Sequence, residues 1–268
     1  MADLLFASFP WVLTALVTLL LVPFERWFPK LERSGAAKGR RRAIALIAIA
    51  AIGTSMLMSL YLNGPLIQLM LYGKFMYMAF WPVPDWTLSI ISLLVLDALY
   101  YLAHWLMHRV PMLWPLHSIH HSDKHVTALS GLLHHPLEVV FTSLFILFFA
   151  VVIGIPVVML IIYGGLVALH SALSHADIRI PVGLDNLLRL VFVTPDVHRT
   201  HHSRRKEEGN SNFGALLTIW DRLFGTYTSQ PKNGATKLAT GLPDGVGPAA
   251  FTPAELIVHP LKPQRRQK

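Results

Sequence analysis

Long apolar runs constrain the fold of this chain more than any other feature of its sequence. A helix needs about 20 apolar residues to cross the hydrocarbon core of a bilayer. Three runs reach about that length, and the third is interrupted only by Asp97: 4–24, 43–62 and 86–104. Charged residues make up 14% of the chain, whereas soluble domains carry about 25%. The sequence therefore predicts an all-α integral membrane protein.

The first run begins close to the start of the sequence, where signal peptides also occur. No positively charged region precedes it, and no clear small-residue cleavage site follows it. A removed signal peptide has both of these features. We therefore expect the run 4–24 to be a retained span.

The distribution of basic residues predicts the orientation of the spans. Lysines and arginines are dense between the first two runs, at Arg26, Lys30, Arg33, Lys38, Arg40, Arg41 and Arg42. The next loop has Lys74 as its only basic residue and holds aromatic residues suited to a membrane interface, Tyr72, Tyr77, Trp81 and Trp86. Because short cytoplasmic loops are enriched in basic residues, we expect the first loop and the end of the third span on the cytoplasmic side. The formal net charge of +8 then indicates contact with anionic lipid headgroups rather than nucleic acid.

A fourth apolar stretch, 139–169, is predicted to be a membrane hairpin. Histidines lie just outside both of its ends, at 134–135 and at His170 and His175. These histidines can serve one site only if the stretch leaves and returns on the same side of the membrane. Residues 154–156, Gly-Ile-Pro, provide turn residues near its middle.

The predicted architecture is a helical bundle of about three spans plus this hairpin, with a histidine-rich helical cap on the cytoplasmic side. Three regions are expected: N-terminal spans with a basic loop (1–85), a catalytic domain (86–228) and an irregular tail rich in Gly and Pro (229–268). The expected location is a bacterial inner membrane, with the site facing the cytoplasm.

The histidines fall into three clusters with helical spacing. Residues three and four apart share a helix face, so each cluster can direct two or three imidazoles at one region. Imidazole suits iron, zinc, copper and nickel, and eight imidazoles suit two ions better than one. The chain has no cysteine, which excludes thiolate sites and cysteine nucleophiles. The clustered histidines are His104, His108, His117, His120, His121, His198, His201 and His202.

Asp97 is an ionisable residue inside a predicted span, which by itself indicates a functional role. It precedes His104 by seven residues and so lies on about the same helix face. We expect its carboxylate to accept the free N–H of a ligand histidine and to fix the tautomer of that histidine.

Two other functions stay open at this point. A zinc-dependent membrane hydrolase would use imidazole ligands, but the sequence has no H-E-x-x-H helix and more histidines than hydrolysis needs. A metal transporter or other metal-binding membrane protein would place its ligands near the middle of several spans. Here the clusters lie at the ends of the apolar runs or outside them.

The residues around the clusters resemble the fatty acid hydroxylase/sterol desaturase superfamily of integral membrane proteins. That family carries H-x-x-x-H, H-x-x-H-H and H-x-x-H-H boxes in this order. The similarity covers roughly Leu94 to Tyr227 and includes elements outside the boxes: 97–104 with Arg109, Leu113-Trp114, Ser122, His135-Pro136-Leu137-Glu138, Thr194-Pro195, 210–214 and 220–226.

The resemblance implies a non-haem di-iron centre, O2 as co-substrate and a lipid substrate from the bilayer, with hydroxylation and desaturation both open. The sequence has no His-Pro-Gly-Gly haem motif, so electrons are expected from a separate donor of the ferredoxin or cytochrome type. The resemblance also implies that the box histidines ligate the metals, together with a ninth histidine before the third box: His104, His108, His117, His120, His121, His175, His198, His201 and His202.

Four polar residues near these histidines are candidate catalytic residues: Asp97, Asp196, Asn212 and Asp221. His170 is a weaker candidate for a metal ligand, and the role of His135 stays open. Asp177 departs from the family pattern, since many relatives have asparagine there.

Overall fold

The computed structural model describes residues 2–30, 39–58, 82–234 and 237–259. Within these residues every named element is helical, which confirms the predicted all-α class. Short 3-10 turns connect the second histidine box to the hairpin. The α-helices are α1 (Ala2–Trp27), α2 (Arg40–Met58), α3 (Asp85–Arg109), α4 (Trp114–His117), α5 (Pro136–Ile153), α6 (Val157–His175), α7 (Val182–Leu188), α8 (Pro195–His201), α9 (Lys206–Gly209), α10 (Ile219–Leu223) and α11 (Pro253–Val258).

Four helices in the described part of the chain, α2, α3, α5 and α6, are long and apolar enough to cross a membrane. The run 4–24 lies within α1, which has 26 residues. The predicted second span continues to residue 62, but 59–62 fall outside the described residues. The same is true of Lys74 and of three members of the predicted aromatic belt; the fourth, Trp86, is exposed in the first turn of α3.

Helix α3 extends five residues beyond the predicted end of the third span at His104. It stops at Arg109 because Pro111 follows, and the residue before a proline is disfavoured in helical conformation. Val110 is accordingly extended, with φ −85° and ψ 120°. The extension carries both His104 and His108 on α3, one turn apart.

The predicted hairpin is confirmed. Helix α5 ends at Gly154, whose φ of 81° is left-handed, and α6 begins directly after Pro156. Both arms pack against α3, where Leu96 joins Ala150 of α5 and Tyr163 of α6 in one buried cluster. The outer ends of the two arms therefore return to the same place as the C-terminal end of α3.

Buried charges connect the amino-terminal region to the histidine-rich cap. Arg40, at the start of α2, forms an ion pair with Asp123 just after the second box, and both side chains are buried. Glu25 of α1 accepts the backbone N–H groups of Ala128 at 2.7 Å and Asp177 at 2.8 Å. Arg40 was expected to face lipid headgroups with its neighbours, but the structure places it inside the protein, where its charge is balanced by a carboxylate.

The turn between the hairpin arms depends on Gly154. An L-residue in left-handed conformation costs about 1–2 kcal/mol, so we expect Gly154→Ala to lower the thermal unfolding temperature in detergent. Gly53 is a matched control inside α2, where an added Cβ meets no atom within 4 Å. Gly53→Ala should raise the unfolding temperature, since Ala is favoured over Gly in helices by about 0.5–1 kcal/mol. Equal shifts in the two variants would contradict this explanation of the turn.

Candidate metal centre

Nine buried or half-buried histidines meet where α3, α6 and α8 converge with the second box, and they form two groups that can each hold a metal ion. Within each group the candidate ligand nitrogens all lie within 4.8 Å of one another. The five-histidine group consists of His104, His108, His117, His121 and His201. The four-histidine group consists of His120, His175, His198 and His202.

Each H-x-x-H-H box divides its histidines between the two groups, and the two boxes divide them in opposite ways. In the second box, His117 and His121 enter the five-histidine group and His120 enters the other. In the third box, His198 and His202 enter the four-histidine group, while the middle histidine, His201, crosses to the five-histidine group. The groups are therefore interlocked, with the rings of His121 and His202 stacked 4.5 Å apart between their centroids.

The outer nitrogens of five of these histidines meet oxygen acceptors. In four cases the acceptor is a backbone carbonyl. The Nδ1 atoms lie 2.8 Å from Phe213 O for His104, 2.7 Å from Ser211 O for His201, 2.7 Å from Ser171 O for His175 and 3.3 Å from Leu133 O for His120, and His117 Nδ1 lies 2.9 Å from Glu138 Oε1. Since these oxygens only accept, each Nδ1 carries the hydrogen and each Nε2 keeps its lone pair.

The inner nitrogens then face one another without a hydrogen between them. His104 Nε2 lies 3.0 Å from His117 Nε2 in one group, and His120 Nε2 lies 3.1 Å from His175 Nε2 in the other. Two neutral rings that both donate through Nδ1 cannot form a hydrogen bond at Nε2. His201 Nε2 is likewise buried with no hydrogen-bond partner among the described residues. Converging lone pairs in both groups fit a bound cation.

Burial also keeps these rings neutral. Desolvation is the largest cause that lowers the pKa of every histidine in the second and third boxes well below its ordinary value of 6.5, and repulsion from neighbouring histidines adds to it. A neutral imidazole is the form that binds a metal ion. Protonation therefore does not explain the short contacts between inner nitrogens, and the donor set fits metal ligation.

The comparison with known proteins agrees with the sequence resemblance. The family model for fatty acid hydroxylase matches residues 89–226, which is about half of the chain and contains both histidine groups. The chain belongs to the fatty acid hydroxylase family.

Curated relatives of this hydroxylase-family chain act on lipids, as their names state. An ornithine lipid hydroxylase, OlsE, of Rhizobium tropici is 30% identical over 59% of this chain and 48% of its own length. The alkylglycerol monooxygenase of Homo sapiens is 28% identical over 63% of this chain and 36% of its own length. The matched part of the chain spans less than half of each of these relatives. No solved structure shows a significant match.

Glu138 contacts the histidine site and was not among the predicted site residues. Its Oε1 accepts from His117 Nδ1 at 2.9 Å and from His134 Nδ1 at 3.0 Å, and its side chain is buried. His134 in turn stacks on His120, with ring centroids 4.8 Å apart. The Glu138 carboxylate thus orients His117 of the five-histidine group. It also orients His134, which stacks on His120 of the four-histidine group. The signal in the sequence was the His-Pro-Leu-Glu element, whose last residue is Glu138.

Asp97 contacts different groups from those expected. Its carboxylate accepts from Tyr163 Oη at 2.9 Å, Trp220 Nε1 at 2.8 Å and the backbone N–H groups of Leu216 and Leu217 at 3.2 Å. The prediction that it accepts from a ligand histidine is wrong, since seven residues place it about 10 Å from His104 along the helix axis. Asp97 instead anchors the segment that follows the third box, at residues 216–220, to α3 through hydrogen bonds.

Asn212 and Asp221 hold the same segment next to the histidines. Asn212 lies between Ser211 and Phe213, whose carbonyls accept from His201 and His104, and it adopts a positive φ of 55°. Its side chain bonds the backbone of Val197 and Thr228. Asp221 accepts from Phe213 N and from Gly214 N at 2.8 Å each, and burial raises its pKa to about 6. Both residues therefore position the carbonyls that set the histidine tautomers.

The remaining candidates lie outside the two groups. Asp196 forms an ion pair with Lys30 at the start of α8. His170 donates through Nε2 to Val193 O at 2.8 Å, and His135 caps α5 by accepting from Leu137 N at 2.9 Å. Asp177, the departure from the family pattern, pairs at 3.1 Å with the buried guanidinium of Arg199 in the third box. A carboxylate there balances a charge that asparagine would leave unpaired.

Removing Glu138 should weaken metal binding. Loss of a carboxylate that orients a ligand histidine lowers metal affinity about 10- to 100-fold, and we expect this of Glu138→Ala. Glu138→Gln should lose less, because an amide oxygen can still accept from His117. Metal retained after dialysis against graded chelator measures the effect. Glu207, which is exposed, provides the control Glu207→Ala; equal loss in the two alanine variants would refute the role of Glu138.

Removing Asp97 should destabilise the protein. Asp97→Ala leaves four donors without their acceptor, and each buried unsatisfied group costs about 1–3 kcal/mol. We expect a clear fall in thermal unfolding temperature in detergent, together with faster metal loss as the 211–221 segment loosens. Asp85, exposed in the first turn of the same helix, should tolerate Asp85→Ala with a shift near zero. An Asp97→Ala protein as stable as wild type would contradict the anchoring role.

Proposed function

We propose that this protein is an O2-dependent lipid hydroxylase or desaturase whose two histidine groups hold two iron ions. The observation that carries the proposal is the pair of adjacent, all-imidazole groups with converging lone pairs. Bound there, the irons would supply the redox chemistry by which O2 oxidises an unactivated C–H bond. The relatives' names, a hydroxylase and a monooxygenase, support this class of reaction.

The number of ligands favours iron over zinc. Catalytic zinc sites use about three protein ligands and keep one position open, whereas these groups offer five and four imidazoles. A metal transporter would place its ligands at the middle of several spans, whereas here eight of the nine histidines belong to boxes at or beyond the end of α3. Both alternatives therefore fit the geometry less well.

The balance of the reaction requires an external reductant. In hydroxylation one oxygen atom of O2 enters the C–H bond and the other leaves as water, which consumes two electrons and two protons. In desaturation two hydrogens leave the substrate and both oxygen atoms become water, again with two electrons from outside. We propose a separate ferredoxin or cytochrome-type protein as the donor.

The residues of the chain perform three tasks in this proposal. The nine histidines hold the ions, and the carbonyls of Phe213, Ser211, Ser171 and Leu133 with the Glu138 carboxylate keep the ligand tautomers fixed. Asp97, Asn212 and Asp221 position the segment that supplies two of those carbonyls. Burial of the rings excludes water, which would otherwise intercept reactive oxygen species.

We propose a bilayer lipid as the substrate and the cytoplasmic side of a bacterial inner membrane as the location of the site. The membrane-span composition of α2, α3, α5 and α6 supports access from the lipid phase. Basic residues between α1 and α2 support the orientation by the positive-inside rule. Lipids with a polar head and an alkyl chain are the class that the relatives' names indicate.

The test is a comparison of host lipids by mass spectrometry. Cells that express the wild type should accumulate lipids heavier by one oxygen or lighter by two hydrogens, and cells that express His201→Ala should not. His125, half-buried and outside both groups, provides the matched control His125→Ala, which should keep the wild-type products. Oxidised lipids in the His201→Ala strain would overturn the proposal. So would the absence of oxidised lipids from both strains when the wild-type protein is loaded with iron. In the second case hydrolysed lipids would favour the zinc enzyme, and metal uptake by vesicles would favour transport.

A further inference from the structure

An apolar groove of about 610 Å³ runs along α3 on the membrane side of the histidines. Its floor extends from Ile91 to Trp105, and Trp220 and Phe224, from the segment after the third box, also line it. The floor residues lie on one face of a helix that has the composition of a membrane span. The groove therefore faces the hydrocarbon phase along α3.

The dimensions of the groove select its occupant. The fifteen residues from Ile91 to Trp105 span about 21 Å of helix, and a volume of about 610 Å³ spread over that length gives a width of about 6 Å. A helix with its side chains is about 10–12 Å across, which is wider than this groove, whereas a single extended alkyl chain is narrow enough to lie inside it. Half of the bilayer hydrocarbon core is about 15 Å, so one extended lipid chain fits in length and width.

We infer that this groove binds one alkyl chain of the substrate lipid and sets the chain length that the enzyme accepts. This inference rests on the proposed function. Ile91 lies deeper in the predicted span than Trp105, which is near the cap end of α3, so a lipid in its ordinary orientation places its methyl end at Ile91 and its polar end toward the cap. No inversion of the lipid is needed.

Two aromatic rings separate the groove from the five-histidine group. Tyr101 forms part of the groove wall, stacks on Phe224 and has its ring 6.2 Å from that of Phe213. The ring of Phe213 is fully buried and lies 5.1 Å from that of His108. The chain held in the groove is therefore not the part that reacts. Its burial supplies binding energy that positions the reacting carbon, which belongs to the polar end of the lipid.

Ala98 is the residue that controls the depth of the groove. It lies midway along the floor, on the α3 face that carries the groove, and its side chain is the smallest in the lining. A larger side chain at this position would separate the Ile91 half from the half next to the histidines. A short chain would then still bind, but a long chain would not.

The first arm of the test compares chain lengths among oxidised lipids. We expect Ala98→Phe to lower the ratio of long-chain to short-chain products at least 10-fold, since apolar pockets discriminate about 10- to 200-fold per methylene. Ala98→Leu should shift the ratio less in the same direction, and Leu102→Ala should shift it the opposite way. Ala45→Phe, on the exposed surface of α2, should leave it unchanged. Equal metal content in all variants shows that folding is intact.

The second arm needs no turnover. His201→Ala protein in phosphatidylcholine vesicles is irradiated with a 16-carbon fatty acid that carries a diazirine at its methyl end, and labelled peptides are mapped by mass spectrometry. We expect labelling at Ile91 and Leu94 that is lost when Ala98→Phe is added but kept with Ala45→Phe. Phe148, exposed on α5, reports ordinary contact with lipid and should label equally throughout.

The two arms separate this inference from the proposed function. If wild-type cells make oxidised lipids and Ala98→Phe cells make them with the same chain-length profile, the groove assignment is overturned and the function stands. Equal labelling at Ile91 with and without Ala98→Phe also overturns the assignment. So does a stronger reduction of the diazirine labelling by an added sterol than by an added unlabelled linear fatty acid. Labelling that depends on Ala98 in a protein that oxidises no lipid would support the groove and overturn the proposed function.

Discussion

The structure of the candidate site depends on hydrogen bonds from the outer nitrogens of its histidines. Four backbone carbonyls and one carboxylate accept from Nδ1 atoms, and this fixes which nitrogen of each ring faces inward. Because carbonyl oxygens cannot donate, the fold itself selects the tautomer of each neutral ring that meets one. The chain is thereby preorganised to present lone pairs to two neighbouring positions, which is the arrangement that a pair of cations requires.

The carbonyls must in turn be held in place, and buried polar contacts achieve this. Asp97 and Asp221 accept from backbone N–H groups of the segment that contains Phe213, and the Asn212 side chain accepts from the backbone N–H of Thr228. Arg40 with Asp123 and Arg199 with Asp177 balance charges on either side of the histidine groups. Breaking one partner of such a buried pair leaves an uncompensated charge, at a cost of about 3–5 kcal/mol. These contacts fix the position of the segment that supplies the Ser211 and Phe213 carbonyls relative to the histidines.

Sequence patterns predicted the helical class, the hairpin and eight of the nine histidines that meet, because each follows from local spacing or from the need to bring distant histidines together. The ninth, His175, was predicted only by the family resemblance. The spacing did not predict how the histidines are distributed between the five-histidine group and the four-histidine group. Positions i, i+3 and i+4 share one helix face, so His198, His201 and His202 look equivalent until the second box is placed opposite them. Glu138 was missed because its partner His117 is 21 residues away. Asp97 was assigned the wrong partner because residues that share a helix face can still lie two turns apart.

The two histidine groups are proposed to bind two metal ions through imidazole nitrogen. Protein purified in mild detergent from iron-replete cells should contain about two irons per chain by elemental analysis. Its X-ray absorption spectrum should show a first shell dominated by nitrogen, with the outer-shell scattering of imidazole rings. One ion per chain, or none, or a first shell dominated by oxygen without imidazole scattering would contradict the account.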